Sequence, residues 1–251
     1  MRDGSLAVSS IFLLNPPNSG STAMAILLLT APRAWSATPN AEGQFVPDVK
    51  EEMRHRPWDP AIDFDWKRIK QCWLNLQPPH KTLMIEKSPP NLLRVRSIMR
   101  VFENSVFVIS NRDPYASISS IVHRYFHSDL EEDRRNLMRQ QANMWLFRSE
   151  QQIDNITLLR GRSVITTYET FCQFPNGLLN NLYNLCGDLE IDISKKLGVK
   201  EYPPQRVMNM NDRQISWLTE EDIAVISEAL SQNKQVVDFF GYRIIGATPA
   251  V

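Results

Sequence analysis

Cysteine and glycine are both scarce, with three and nine in 251 residues. Cys72, Cys172 and Cys186 are widely spaced and odd in number. They form no CxxC pair and no disulfide framework, so buried free thiols in a reducing compartment are expected. Charge of neither sign is in excess: Lys plus Arg and Asp plus Glu are 28 each. That balance excludes the basic field of a nucleic-acid binder, and any anion site has to be built locally. No apolar run reaches membrane-spanning length. Residues 6–14 could pass for a short signal h-region, but they lead into Asn15-Pro16-Pro17 rather than a small-residue cleavage site. A cytoplasmic protein with no membrane or nucleic-acid partner is expected. No His/Cys cluster has zinc spacing, so no metal is expected either, and no internal repeat or low-complexity tract is present.

What is there alternates between strand and helix. Residues 11–14 form an apolar run bounded by Pro16-Pro17 that reads as a buried strand. Ser19-Gly20-Ser21-Thr22 then opens a helix through residues 23–29. Its first N–H groups lack partners within the helix, its dipole puts positive charge there, and Gly20 permits close approach. The stretch is either an anion site for phosphate or sulfate or an ordinary, well-capped connection. Residues 31–60 are Pro-rich and irregular, a length typical of lids and binding walls. Helices are predicted over 62–76 and 91–101, and a short strand over 82–85 ends in Glu86-Lys87-Ser88-Pro89-Pro90. Residues 105–110 are the clearest central strand. Asp113 as N-cap and Pro114 at the first helical position start a helix through His127.

Further on, a long helix is expected over 133–159, a strand over 163–167 ending in Tyr168-Glu169, and a helix over 176–185. A second working loop spans 195–215. Thr219-Glu220-Glu221-Asp222 is a capping box opening the last long helix, and a final strand is predicted over 242–245. The pattern predicts one α/β domain over residues 1–251: three layers, a central parallel sheet with helices on both faces, and ligands at the carboxyl ends of the strands.

Arg112 falls where the central strand leaves the sheet. Ser120 and Arg124, four residues apart, share a face of the next helix. The three can converge on a doubly charged phosphate through charge-assisted hydrogen bonds. Alternatively Arg112 pairs with a surface carboxylate and Arg124 is solvated. Taken with the first anion site, the pattern calls for a ligand with phosphates at two ends.

This ordered set resembles the sulfotransferases that use 3′-phosphoadenosine 5′-phosphosulfate (PAPS), whose fold is P-loop NTPase-like. In that family a strand, then Pro-Arg/Lys-Ser-Gly-Ser/Thr-Thr, then a helix cradles the 5′-phosphosulfate. Pro17-Asn18-Ser19-Gly20-Ser21-Thr22 stands in its place. An arginine with a serine eight residues later binds the 3′-phosphate, and Arg112 and Ser120 match that spacing. Arg124 matches a further arginine of the tyrosylprotein branch. Glu86-Lys87-Ser88-Pro89 is similar to an element of the carbohydrate and protein sulfotransferases. Tyr168 matches a tyrosine near the adenine, and Phe240-Gly241-Tyr242 is typical of bacterial members. The resemblance implies PAPS as donor, its product 3′-phosphoadenosine 5′-phosphate (PAP), and a small-molecule acceptor such as those of bacterial tailoring enzymes in secondary metabolism. A hydroxyl is the default acceptor and a nitrogen the alternative; a homodimer is left open.

Asn18 departs from the family, because a cation usually precedes Ser-Gly and steadies charge on the bridging oxygen. A neutral donor stabilises that charge less, which leaves Lys87 as the cation by the leaving group, or else a surface lysine. The histidine base of many cytosolic relatives would fall at Pro89, so that route is closed. Following the carbohydrate and tyrosylprotein branches, the candidate base is Glu42, with His55 and His80 as fallbacks, and Glu86 is expected to orient Lys87. Phe45, Met53, Trp58 and Trp66 either line an acceptor pocket or belong to the core. A P-loop kinase is disfavoured because GxxxxGK[ST] is absent. A protein that binds the nucleotide but has lost transfer is the non-enzyme alternative.

Overall fold

The computed structural model describes residues 8–126, 130–198 and 204–246. Five parallel strands form one sheet in the order β2-β3-β1-β4-β5. The first is β1 (Ser10–Leu14), followed by helix α1 (Ser21–Leu28), a two-residue edge strand β2 (Ala34–Trp35) and α2 (Pro47–Arg54). Next come α3 (Trp66–Leu74), β3 (Leu83–Glu86), α4 (Val95–Val101) and β4 (Ser105–Asn111). Then follow α5 (Pro114–Tyr125), α6 (Glu131–Leu158), β5 (Ser163–Thr167), α7 (Tyr168–Gln173) and α8 (Pro175–Cys186). The chain finishes with α9 (Asn211–Ile215), α10 (Glu220–Leu230) and α11 (Lys234–Phe239). Among the described residues no helix is long and apolar enough to cross a membrane.

Every residue of β1 is buried, as expected of a parallel strand covered on both faces. Its side chains alternate between two cores. Ile11 and Leu13 pack with Met24, Leu27 and Leu28 of α1 and with Leu178 and Leu182 of α8. Phe12 and Leu14 face Trp66, Ile69 and Trp73 of α3 and Ile98 of α4. The period of two thus produces the layers directly. A third core joins α5, α6, α10 and α11. In the register Ile11 lies beside Ile85 on one side and Val106 on the other. From β1 the chain passes to β2 and β3 on one side, then crosses to β4 and β5. The end of β1 is therefore a topological switch point, where folds of this kind form a crevice.

Several expectations need correction. Residues 31–60 are not wholly irregular, since β2 pairs with β3 and α2 starts with Pro47 at its first position and Asp48 in its first turn. The proline that suggested a loop is a helix-start signal. The helix expected from residue 62 begins at Trp66. Asp65 accepts the Arg68 N–H as its N-cap, and Asp63 binds both the Phe64 N–H and the Trp66 indole. Residues 91–101 split at Arg94, whose φ of −122° interrupts the helix. The predicted strand over 242–245 is irregular. There Tyr242 packs on Trp145 and the Ile245 N–H bonds the Tyr115 hydroxyl, so side-chain docking overrides a β-rich composition. His127 and residues 199–203 of the second loop lie outside the described residues; the rest of that loop contains α9 and one bridge, Leu197 to Gln205. The capping box is present at Thr219 and Asp222.

Candidate active site

The loop after β1 turns sharply through two left-handed residues, Asn18 (φ 59°) and Gly20 (φ 81°). Asparagine is among the few side chains that tolerate this region, which gives a local reason for Asn18 where a cation is the family habit. At Gly20 the constraint is absolute: a Cβ would lie 2.3 Å from the Tyr168 ring. The Ser19 hydroxyl donates to the Pro16 carbonyl at 2.6 Å and is buried. Helix α1 takes its first bonds from the Ala23 and Met24 N–H groups to the Gly20 carbonyl. The N–H groups of Ser21 and Thr22 thus begin the helix without an intrahelical acceptor, at its positive end.

Arg112 leaves the carboxyl end of β4 and is only 4 % exposed. Its guanidinium donates to the Asn18 carbonyl (2.8 Å), to Asn211 Oδ1 (2.9 Å) and to Gln214 Oε1, and lies 4.1 Å above the centre of the Tyr168 ring. Burial lowers its pKa, partly countered by Tyr168 and Glu169. No carboxylate is within ion-pair distance of it among the described residues. Tyr168, at the end of β5, is fixed in turn: its hydroxyl donates to the Met208 carbonyl at 2.9 Å and accepts from the Met210 N–H at 3.1 Å. Asp113 caps α5 through the Ala116 N–H, and this helix carries Ser120 and Arg124 to the cavity wall.

At the end of β3 the geometry differs from expectation. Lys87, 2 % exposed, binds Glu42 Oε1 at 2.5 Å; the Glu42 Oε2 accepts from Gln44 at 2.6 Å. Glu86 does not touch the Lys87 amine. Its carboxyl accepts the Gly43 N–H (2.8 Å), the Ser88 N–H (2.6 Å) and the Asn91 amide (3.1 Å), so it fixes the backbone on which Glu42 and Lys87 sit. Burial raises its pKa to about 7 against the pull of those donors and of Lys87. Two more bonds tie the same loops, Lys87 N–H to the Ala41 carbonyl at 2.7 Å and Gln44 N–H to Ser88 Oγ at 3.0 Å.

These pieces surround one cavity of about 520 Å³. Asn18, Gly20, Ser21, Thr22, Glu42, Lys87, Arg112, Ser120, Arg124 and Tyr168 all line it, whereas Ser19, His55 and His80 do not. Phe45 and Trp58 are on its wall, while Met53 and Trp66 are buried in the core behind α3. A model of the sulfotransferase family matches residues 10–191. The chain belongs to the sulfotransferase family. No curated protein sequence matches it. Among solved structures, a sulfotransferase from Alicyclobacillus acidocaldarius is similar at 11 % identity and a TM-score of 0.57, over 95 % of this chain and 98 % of the other. Sulfotransferase STF9 from Mycobacterium avium is similar at 10 % identity and 0.55, over 97 % and 79 %. A retinol dehydratase in complex with retinol and PAP is similar at 13 % identity and 0.50, over 95 % and 84 %. At these identities the likeness is one of fold.

In this sulfotransferase, sequence reasoning missed part of the wall. Arg54, Pro57 and, from the second loop, Gln205, Arg206, Val207, Met208, Met210 and Gln214 line the cavity, and Asn211 and Gln214 hold Arg112 from about a hundred residues away. The second working loop signalled the region by its irregularity. Nothing in its residue types pointed to Asn211 or Gln214, whose significance lies only in what they touch.

Proposed function

We propose that this sulfotransferase moves a sulfuryl group from PAPS to a hydroxyl of a small-molecule acceptor. The observation that carries the reading is Arg112: a buried guanidinium at a cavity wall, hydrogen-bonded among the described residues to neutral oxygens, on the strand next to a helix N-terminus with available N–H groups. A buried cation with no carboxylate in ion-pair contact among the described residues, compensated only by the more distant charges of Glu169 and Asp113, favours an anion joining it. The cavity therefore suits a ligand with negative charge at two places, as PAPS and PAP have.

Under this reading Arg112, Ser120 and Arg124 hold the 3′-phosphate. The loop from Asn18 through Gly20 to Ser21 and Thr22 holds the 5′ end, with backbone N–H groups and hydroxyls as donors. Tyr168 flanks the adenine side while its ring keeps Arg112 in place. When bound, the donor supplies an electrophilic sulfuryl group. Lys87 supplies positive charge where negative charge gathers as that group departs, the role Asn18 can fill only as a neutral donor. Glu42, held by Lys87 and Gln44, takes the proton from the acceptor hydroxyl at a carboxylate oxygen.

The test is transfer of labelled sulfate from PAPS to a panel of hydroxyl- and amine-bearing acceptors, with PAP binding measured alongside. Turnover of hydroxyl acceptors supports the proposal. Binding without any turnover would instead favour a nucleotide-binding protein that has lost transfer, and absence of binding would remove the donor assignment.

A further inference from the structure

The cavity divides by strand. The donor reading uses groups following β1, β4 and β5, plus Lys87. Besides the Glu42 and Gln44 pair already described, what remains follows β2 and β3: Phe45, Arg54, Pro57, Trp58, Pro89 and Pro90. Five of those six carry rings with little torsional freedom, so they offer a flat, apolar surface at small entropic cost. Phe45 keeps 41 % of its surface exposed on this wall. The sixth residue, Arg54 in the last turn of α2, sits 5.4 Å from the Phe45 ring centre and forms no ion pair among the described residues.

A second arginine backs this wall without lining it. Arg148 of α6 is 7 % exposed and stacks 4.1 Å from the centre of the Trp58 ring. Its Nε has no hydrogen-bond partner, and no carboxylate forms an ion pair with it among the described residues. Desolvation pulls its pKa down to about 10. The Trp58 ring is therefore backed by a positive charge that has no ion-pair partner among the described residues. The balance of lining charges says the same: Arg54, Lys87, Arg112, Arg124 and Arg206 against Glu42 alone. Glu42 is matched by Lys87, and Arg112 and Arg124 are assigned to the donor. Arg54 and Arg206 remain; Arg206 follows β5, and Arg54 is the one on the acceptor side.

We infer that the acceptor is a planar aromatic alcohol carrying an anionic group, its ring against Phe45 and Trp58 and its anion met by Arg54. The inference rests on the sulfuryl-transfer reading and names the substrate class of that site. Two anions in one cavity repel each other, and the surplus of arginines offsets that repulsion.

The experiment compares three matched pairs as acceptors with PAPS: 4-hydroxyphenylacetate, 3-(4-hydroxyphenyl)propionate and 6-hydroxy-2-naphthylacetate, each against its methyl ester. PAP binding is titrated on the same protein, wild type and Arg54→Gln. The acids are expected to exceed their esters in kcat/KM by about tenfold or more, as a charge-assisted pair gives. In Arg54→Gln that preference should fall to within about threefold through a higher KM for the acids, with PAP affinity unchanged. Esters equal to or better than acids, no turnover of any acid by protein that binds PAP, or a preference that survives Arg54→Gln would each overturn the inference. Loss of PAP binding in the wild type would instead remove the donor reading beneath it.

Discussion

The two halves of the cavity are built by different means. On the β1, β4 and β5 side the groups sit at strand ends or on the helices that follow, positions that local sequence signals mark, while Arg112 and Tyr168 are locked there by partners far along the chain. On the β2 and β3 side the groups are held by contacts across long sequence separations. Glu86 grips the Gly43 N–H, Trp73 donates to the Gly43 carbonyl, and Arg94 donates to the Pro57 and Asp59 carbonyls. The first half is marked by local motifs and then locked by tertiary contacts; the second has no local mark and is defined by tertiary contacts alone.

That contrast can be broken most sharply at Lys87, the residue where the halves meet. Lys87→Met removes the cation from both Glu42 and the proposed leaving group. We expect kcat to fall by about 10²–10³, with PAP affinity changed far less, since an oriented charge acting in the transition state is worth about that much. Single-turnover transfer beside calorimetric titration reads both quantities. An equal loss in affinity and turnover would put Lys87 in ground-state binding only.

Glu86→Gln probes the tertiary half alone. The folded state raises the pKa of this carboxyl from 4.5 to about 7, so it binds a proton that the unfolded chain has released in that window. The carboxyl's contribution is fully present below about pH 4.5 and is lost as pH rises through 7. Wild type should therefore lose stability relative to Glu86→Gln across pH 4.5–7, by up to about 3 kcal/mol, with a flat difference outside it. Urea midpoints of the two proteins from pH 4 to 8 check this. The amide cannot accept all three of the carboxyl's N–H donors, so a constant offset is expected as well. A pH-independent difference would mean that folding does not raise the Glu86 pKa.

How much of this was legible in the sequence follows the same division. The alternation of Ile11, Phe12, Leu13 and Leu14 and the runs 105–110 and 163–167 sufficed for a parallel sheet covered on two faces. The positions of Gly20, Arg112, Ser120 and Tyr168 sufficed for a crevice, because strand ends and helix starts are local features. Strand β2 was not legible because two residues, Ala34 and Trp35, carry no periodicity. The expectation that Glu86 orients Lys87 directly missed because the Glu86 carboxyl is taken up by the Gly43 and Ser88 N–H groups and the Asn91 amide. Lys87 reaches Glu42, and Glu86 turns inward to the backbone. Arg54, Asn211, Gln214 and Arg148 had no signal at all, for their surroundings are made by distant segments.

The central claim is that one cavity grips an adenosine nucleotide by its two charged ends, and Arg112 tests it most directly. Calorimetric titration of PAP into wild type and Arg112→Ala should show binding in the first and a loss of about 2–3 kcal/mol in the second, the usual cost of removing a charged hydrogen-bond partner from a buried phosphate. Unchanged affinity in the variant, or no binding to the wild type, would contradict the account.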